Sequence, residues 1–460
     1  MNQGAESAAG RLADAGLHLI RHVTQDRPRV ETVPSCVSYT ARLSAGRALA
    51  PAAVDTVTGG AALGDHDQAR RAAVGEAVER YCANLVPDKL PVVSHTQLAA
   101  SGRTAVNPGE FALYSPGQYA SRGFPFVPMT RDLPIAWTAG RDLSNGRETW
   151  VPASLTYVNY YRGARRAQPP TNYPVLAGTA AGSSPEEARL AALREVLERD
   201  AVTLWWLSGA PAAPLAPTHH AALATALSEA AASGLRVTLL RIPSMLDVVV
   251  AGAFIEDAAR RIVAFGSACR NTAEAAAAKA LTEAIGTHET SLELLDDVSD
   301  FWSAVRQGRM DRRPFRPYRS DRAYRDDFRP DRRDLNDVGL HLQLYLDPRM
   351  QDARLTRLRT PRLPHGSRPP VAAGPADLDG YVRLLTAQGL RAIAVDLTPP
   401  PVRAAGLHVA RVLVPGLSCN APAAFPFLGG SRLLHEPAAR GWVPPPPDAS
   451  TLVLDPLPFS

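Results

Sequence analysis

Three alanine-rich stretches carry glutamates at matching places. DHDQARRAAVGEAVERY (65–81) holds Glu76 and Glu79, SSPEEARLAALREVLERDAV (183–202) holds Glu195 and Glu198, and TAEAAAAKALTEAIGTHET (272–290) holds Glu283. Residues three apart on a helix project within about 60° of each other, so the carboxylates of each pair share a face and repel. One remedy is local. Arg80 and Arg199 stand four residues after Glu76 and Glu195, the favourable order for a surface ion pair of about 0.2–0.5 kcal/mol. The other remedy applies if the helices converge: five carboxylates near one core need cations. Magnesium, a hard ion that takes carboxylate oxygens and shares them with nucleotide phosphates, would serve.

The elements around these residues are readable. Ser184 before Pro185 is an N-cap with proline in the first turn, and Thr272 caps the third stretch. Trp205 and Trp206, at the end of the second stretch, are expected to anchor that helix in the core. Strand-like runs occur at 235–242, 248–256, 261–269, 390–398 and 408–417. Several succeed one another without room for a helical crossover, which predicts an α+β fold with a mixed or antiparallel sheet. Unequal spacing of the three helices excludes a solenoid.

The rest of the chain sets bounds. With 460 residues, 45% hydrophobic and 21% charged, the composition is that of an enzyme-sized globular protein. Lys89 and Lys279 are the only lysines and neither follows a glycine, which excludes a Walker loop; no GxGxxG opens a helix. Cys36, Cys82, Cys269 and Cys419 form no CxxC, arguing against a zinc knuckle or disulfide scaffold and for a reducing, cytoplasmic setting. No signal-like or membrane-spanning run is present. Residues 301–333 interleave arginines with aspartates and aromatics, read as a solvated surface segment or a docking surface for an acidic or peptide partner. Nucleic acid is not expected, because the aspartates dilute the charge.

GEAVERY (75–81), GTAAGSSPEEARLAALREVLERDAVTLWW (178–206), ALTEA (280–284) and RVLVPGL (411–417) resemble signature segments of the YcaO superfamily, and 335–348 has a similar look. The resemblance covers roughly 60–440. It implies a YcaO-like fold, with 1–55 an N-terminal segment, 56–440 the catalytic domain containing the 301–333 surface segment, and 441–460 a proline-rich tail. It also implies an ATP- and Mg2+-dependent cyclodehydratase of natural-product biosynthesis, including thiopeptide-type antibiotics. There the side chain of a Cys, Ser or Thr in a ribosomally made precursor attacks the preceding amide, the oxyanion takes the γ-phosphate of ATP, and loss of phosphate leaves a thiazoline or oxazoline. Thioamide or macrocyclic amidine formation is the alternative within the family. A non-catalytic peptide-binding scaffold is the alternative outside it.

Carried over by position, Glu76, Glu79, Glu195, Glu198 and Glu283 are the metal and nucleotide ligands, while Arg199 and Lys279 face phosphate. If the DPLPFS tail reaches the site as family tails do, Ser460 would place a carboxylate near the reacting amide as base. The implied partners are a precursor peptide with its leader and a separate ThiF-like, leader-binding protein, with room for a homodimer. Three departures stand out: GGAALG (59–64) lacks the family's lysine, and Gly286 and His288 replace a usual Gln and Arg.

Overall fold

A computed structural model of the chain describes residues 19–43, 57–216, 219–307, 315–363, 371–445 and 451–458. Strands β1 (Ile20–Gln25), β2 (Cys36–Leu43) and β3 (Val57–Leu63) form an antiparallel sheet in sequence order, covered by helix α1 (His66–Ala83). Next come β4 (Val92–Val93), β5 (Ile135–Asp142), β6 (Glu148–Pro152), β7 (Thr179–Gly182) and helix α2 (Pro185–Ser208). After these stand β8 (Ala213–Pro214), α3 (Ala221–Ala232), β9 (Leu235–Ile242), β10 (Val249–Asp257), β11 (Ile262–Arg270) and α4 (Ala273–Leu294). The main elements close with α5 (Leu378–Ala387), β12 (Ile393–Asp396), β13 (His408–Leu413) and α6 (Arg432–Ala439).

Two further sheets result. One runs β4-β5-β12-β13-β7 with β6 paired to β5, and the other runs β11-β10-β9-β8. Every pairing between these strands is antiparallel, which the tight β5-β6 and β9-β10-β11 connections require of those strands. The expected α+β class with antiparallel sheets is therefore what the chain adopts. Strands β1 and β2 lie within the segment 1–55, and β2 pairs with β3, so this segment shares a sheet with the first strand of 56–440.

Helix α2 is the central beam, packed between β7 and β13 on one side and β11 on the other. Ser184 caps it by accepting from the Glu187 N–H, Pro185 occupies its first turn, and Gly209, at φ 74°, ends it. Thr272 caps α4 in the same way. Trp205 is 0% and Trp206 3% exposed. Trp205 stacks on Phe265 of β11 at 5.9 Å, and the Arg357 guanidinium lies 3.9 Å from the Trp206 ring. The tryptophans thus anchor the helix, as expected.

Two strand glycines bring helices unusually close. A Cβ on Gly60 would stand 2.0 Å from the Ala73 nitrogen of α1, and one on Gly266 would stand 2.3 Å from the Ala280 carbonyl of α4. No side chain fits at either place, so backbone meets backbone and the glutamates one turn further on are drawn to the strands.

The described part of the tail is held extended along the core. Val453 N–H donates to Leu207 O, the Trp206 indole to Asp455 O and the Tyr345 hydroxyl to Pro456 O. The Phe265 N–H on the open edge of β11 donates to Pro458 O at 3.0 Å. In the arginine-rich segment the charges meet locally: Arg316 with Asp334, Arg319 with Asp321 and Asp327, and Arg329 with Asp331, at 2.6–2.9 Å. Arg322 caps the carbonyls of Leu346, Arg260 and Arg261. No helix among the described residues is long and apolar enough to cross a membrane.

Candidate active site

The three glutamate-bearing helices converge. Glu76 of α1 accepts from Gly59 N–H at 3.1 Å and from Arg80 at 3.0 Å. Glu79, one turn on, accepts from Ala181 N–H of β7 at 2.8 Å, and Glu195 of α2 accepts from Gly178 N–H at 2.8 Å. Glu198 is buried and takes the Ser267 hydroxyl at 2.7 Å and the Cys269 N–H at 3.2 Å, both from β11. Arg199 sits 3.4 Å from Glu198 and 3.9 Å from Glu195. Glu283 of α4 is paired with Lys279. The local Glu-to-Arg pairs and the convergence of the helices are therefore both realised.

Accessibility divides the carboxylates. The side chains of Glu76, Glu195 and Glu283 are 34%, 31% and 44% exposed, against 8% for Glu198. The first three open onto a cleft where a ligand can reach them, whereas Glu198 is held by β11. Burial pushes the Glu79 carboxyl up to about 8, and the Glu195 and Glu76 carboxylates add to it against the opposing Ala181 N–H. Glu195 is also raised, by burial first, with Glu198 adding while Arg199 and the Gly178 N–H oppose. At Glu283 burial works against the charge, but Lys279, Arg199 and Arg270 outweigh it and hold the carboxyl below its ordinary value. Burial likewise opposes the Arg199 charge, yet Glu198, Glu195 and Glu283 keep it raised. Burial, with carboxylate neighbours adding, thus leaves the charge of two of the acids short of stabilisation.

That shortage is what a hard cation would relieve, and the donor set is all carboxylate oxygen, so magnesium fits in kind. Among the described residues no three such side chains meet closely enough to hold an ion by themselves. An ion held here would take one or two of these carboxylates and complete its shell with phosphate oxygens.

Ser460 lies outside the described residues. Gly286 faces open space, with nothing within 4 Å of where a Cβ would stand. His288 is 1% exposed and turned inward, its Nε2 3.1 Å from Asp257. Five residues beyond Glu283, it sits well round the helix from that carboxylate, which makes it structural. Sequence reasoning missed Ser267 and the N–H groups of Gly59, Gly178, Ala181 and Cys269 as carboxylate partners. It also missed Arg432, which joins Ser418 N–H in neutralising buried Asp200 at 2.7 Å. Only the glycines in GGAALG and AFGSAC gave a sign of close helix–strand contact.

Comparison with known proteins establishes the family of the chain. Residues 60–418 match the family model described as YcaO cyclodehydratase, ATP- and Mg2+-binding. An uncharacterized protein from the tfuA 3′ region of Rhizobium leguminosarum bv. trifolii is 27% identical over 241 residues, 50% of this chain and 54% of that protein. The chain thus spans about half the length of this curated relative. A heterocyclase solved in complex with substrate and cofactor superposes with a TM-score of 0.71 at 19% identity, covering 98% of this chain and 57% of that one. YcaO from Methanopyrus kandleri, bound with AMPPCP and Mg2+, gives 0.53 at 19% identity and covers 90% of each chain. At these identities the solved structures speak for the fold, and the match over most of the sequence settles the kinship: the chain belongs to the YcaO family.

Proposed function

We propose that this protein is an ATP- and Mg2+-dependent cyclodehydratase that forms thiazolines or oxazolines from Cys, Ser or Thr of a ribosomally made precursor peptide. The observation that carries the reading is the convergence of Glu76, Glu79, Glu195, Glu198 and Glu283 around Arg199, with Glu79 and Glu195 raised by burial and by neighbouring carboxylates. Glu76, Glu79, Glu195 and Glu283 would hold magnesium, which when bound neutralises the nucleotide phosphates. Glu198, fixed by Ser267 and Cys269, keeps Arg199 aimed along the cleft, and Arg199 and Lys279 steady the transferred phosphoryl group.

The peptide side chain adds to the preceding amide carbonyl, and the resulting oxyanion accepts the γ-phosphoryl group, releasing ADP. The oxygen then departs as phosphate while the amide nitrogen loses its proton, leaving the C=N bond of the ring. A base is needed for these protons. The tail supports Ser460 in that place: Pro458 is bonded to Phe265, two residues before the Ser267 that holds Glu198. Two extended residues span about 7 Å.

Delivery of the peptide by a separate ThiF-like, leader-binding protein belongs to the same proposal. The test is to mix the purified chain with Mg-ATP and a Cys-containing precursor, with and without that partner, and to follow peptide mass and phosphate together. One water lost per phosphate released is the expected result, and it should depend on the partner. Phosphate release with a sulfur-for-oxygen change when sulfide is supplied would replace cyclodehydration by thioamidation. Neither phosphate nor mass change, with the partner present, would overturn the enzymatic reading.

A further inference from the structure

A cavity of about 70 Å3 lies beside α2 on the flank formed by β13 and the loop after it. Its walls are mainly apolar, Ala177, Val196 and Phe427 among them, and its polar side chains are Arg411, Ser418 and Cys419. Val196 follows Glu195 directly, and the Gly178 whose N–H holds Glu195 is in close contact with Val196. The cavity therefore adjoins the glutamate cleft. No residue of α1, β3 or α4 lines it, so it is set apart from the side of the cleft where Glu76, Lys279 and Glu283 stand.

Arg411 is 1% exposed and has no carboxylate partner within salt-bridge distance among the described residues. Its terminal nitrogens donate to Leu155, Val175 and Leu176 carbonyls and to the Thr179 hydroxyl, while its Nε finds no acceptor. The Nε itself is shielded, so the cavity presents chiefly apolar wall, which suits a hydrocarbon side chain such as a peptide residue carries. An apolar cavity of roughly 150 Å3 takes up benzene, so the smaller space here suits a valine- or leucine-sized side chain.

Building on the peptide-modifying reading above, we propose that this cavity binds the aliphatic side chain of the precursor residue immediately preceding the one cyclised. That residue contributes the carbonyl under attack, so a side-chain pocket next to Glu195 would fix its register against the phosphoryl donor. The cavity then decides which sequences are modified.

The test uses the full chain with Mg-AMPPCP and a set of N-acetyl-Xaa-Cys-Gly amides in which Xaa is Gly, Val, Leu or Phe, with binding measured by calorimetry or NMR titration. The Val and Leu peptides should bind about tenfold more tightly than the Gly peptide. Ala177→Leu, which fills the cavity, should abolish that preference while AMPPCP affinity is retained. Val196→Ala, which enlarges it, should move the preference towards Phe and guards against a filled variant that fails to fold. Absence of any preference in the unaltered chain overturns the proposal. So does loss of AMPPCP binding in step with peptide binding in Ala177→Leu, which would give the cavity to the nucleotide. Failure of the unaltered chain to bind AMPPCP counts against the functional reading alone, and the same peptides without nucleotide then decide the pocket.

Discussion

The glutamate cleft and the arginine-rich segment are both dense in charge, and they use it differently. Along 315–334 each arginine stands near aspartates in sequence, and Arg316, Arg319 and Arg329 close ion pairs within the segment itself. In the cleft, like charges are collected from three helices, and burial with neighbouring carboxylates keeps Glu79 raised beside Arg80 and Glu195 raised beside Arg199. Charge that is neutralised where it is made asks for nothing more. Charge gathered from distant elements against its own repulsion implies a ligand of the opposite sign, and the difference separates a solvated surface from a site.

Substitutions can break this contrast. The largest effect is expected from Glu195→Gln or Glu198→Gln, each of which should lower phosphate release at least about 10²–10³-fold, the scale for losing one preorganised electrostatic group. The fold should persist, as judged by circular dichroism; undiminished turnover would remove these glutamates from the site. Asp200→Ala attacks a charge that is buried but already matched by Arg432. It should cost about 1–3 kcal/mol of stability in denaturant unfolding, because the buried Ser418 N–H would lose its acceptor and Arg432 would keep only Glu436 as a charged partner.

Glu79 supplies a gentler test. Its carboxyl is raised to about 8, so a cation must displace a proton, and Mg-AMPPCP affinity should climb from pH 6 to about 8 and level off above. Without ligand the sign reverses for stability: the folded chain holds this proton more tightly than the unfolded one. The contribution is fully present below the ordinary carboxyl value and is lost as pH rises through about 8. Glu79→Gln should flatten both slopes; a slope unchanged in the variant would assign the proton elsewhere. The smallest effect belongs to the surface segment. Arg319→Ala combined with Arg329→Ala should leave turnover and the thermal midpoint within experimental scatter, and a loss of peptide modification would instead make 315–334 a docking surface.

Range in sequence decides how much of this was legible beforehand. The caps Ser184 and Thr272, the helix faces bearing Glu195 and Glu283, and the anchoring of Trp205 depend on neighbours a few residues away, and each is found as expected. The second partners of the carboxylates were hidden, because they arise when strands distant in sequence come alongside. Ser267 meets Glu198 across 69 positions and Ala181 meets Glu79 across 102. The pairing of β1 with β2 and of β2 with β3 was hidden for the same reason, as was the hold of the tail on the β11 edge. His288 was ambiguous because a helix position shows its face only once the packing of α4 is known.

The most direct test of the glutamate cleft as a magnesium–nucleotide site is calorimetric titration of AMPPCP into the chain, with and without Mg2+, alongside Glu195→Gln. Binding to the unaltered chain that requires Mg2+ and is lost in the variant is the predicted result. Binding that is equally strong without the metal, or untouched by Glu195→Gln, would contradict it.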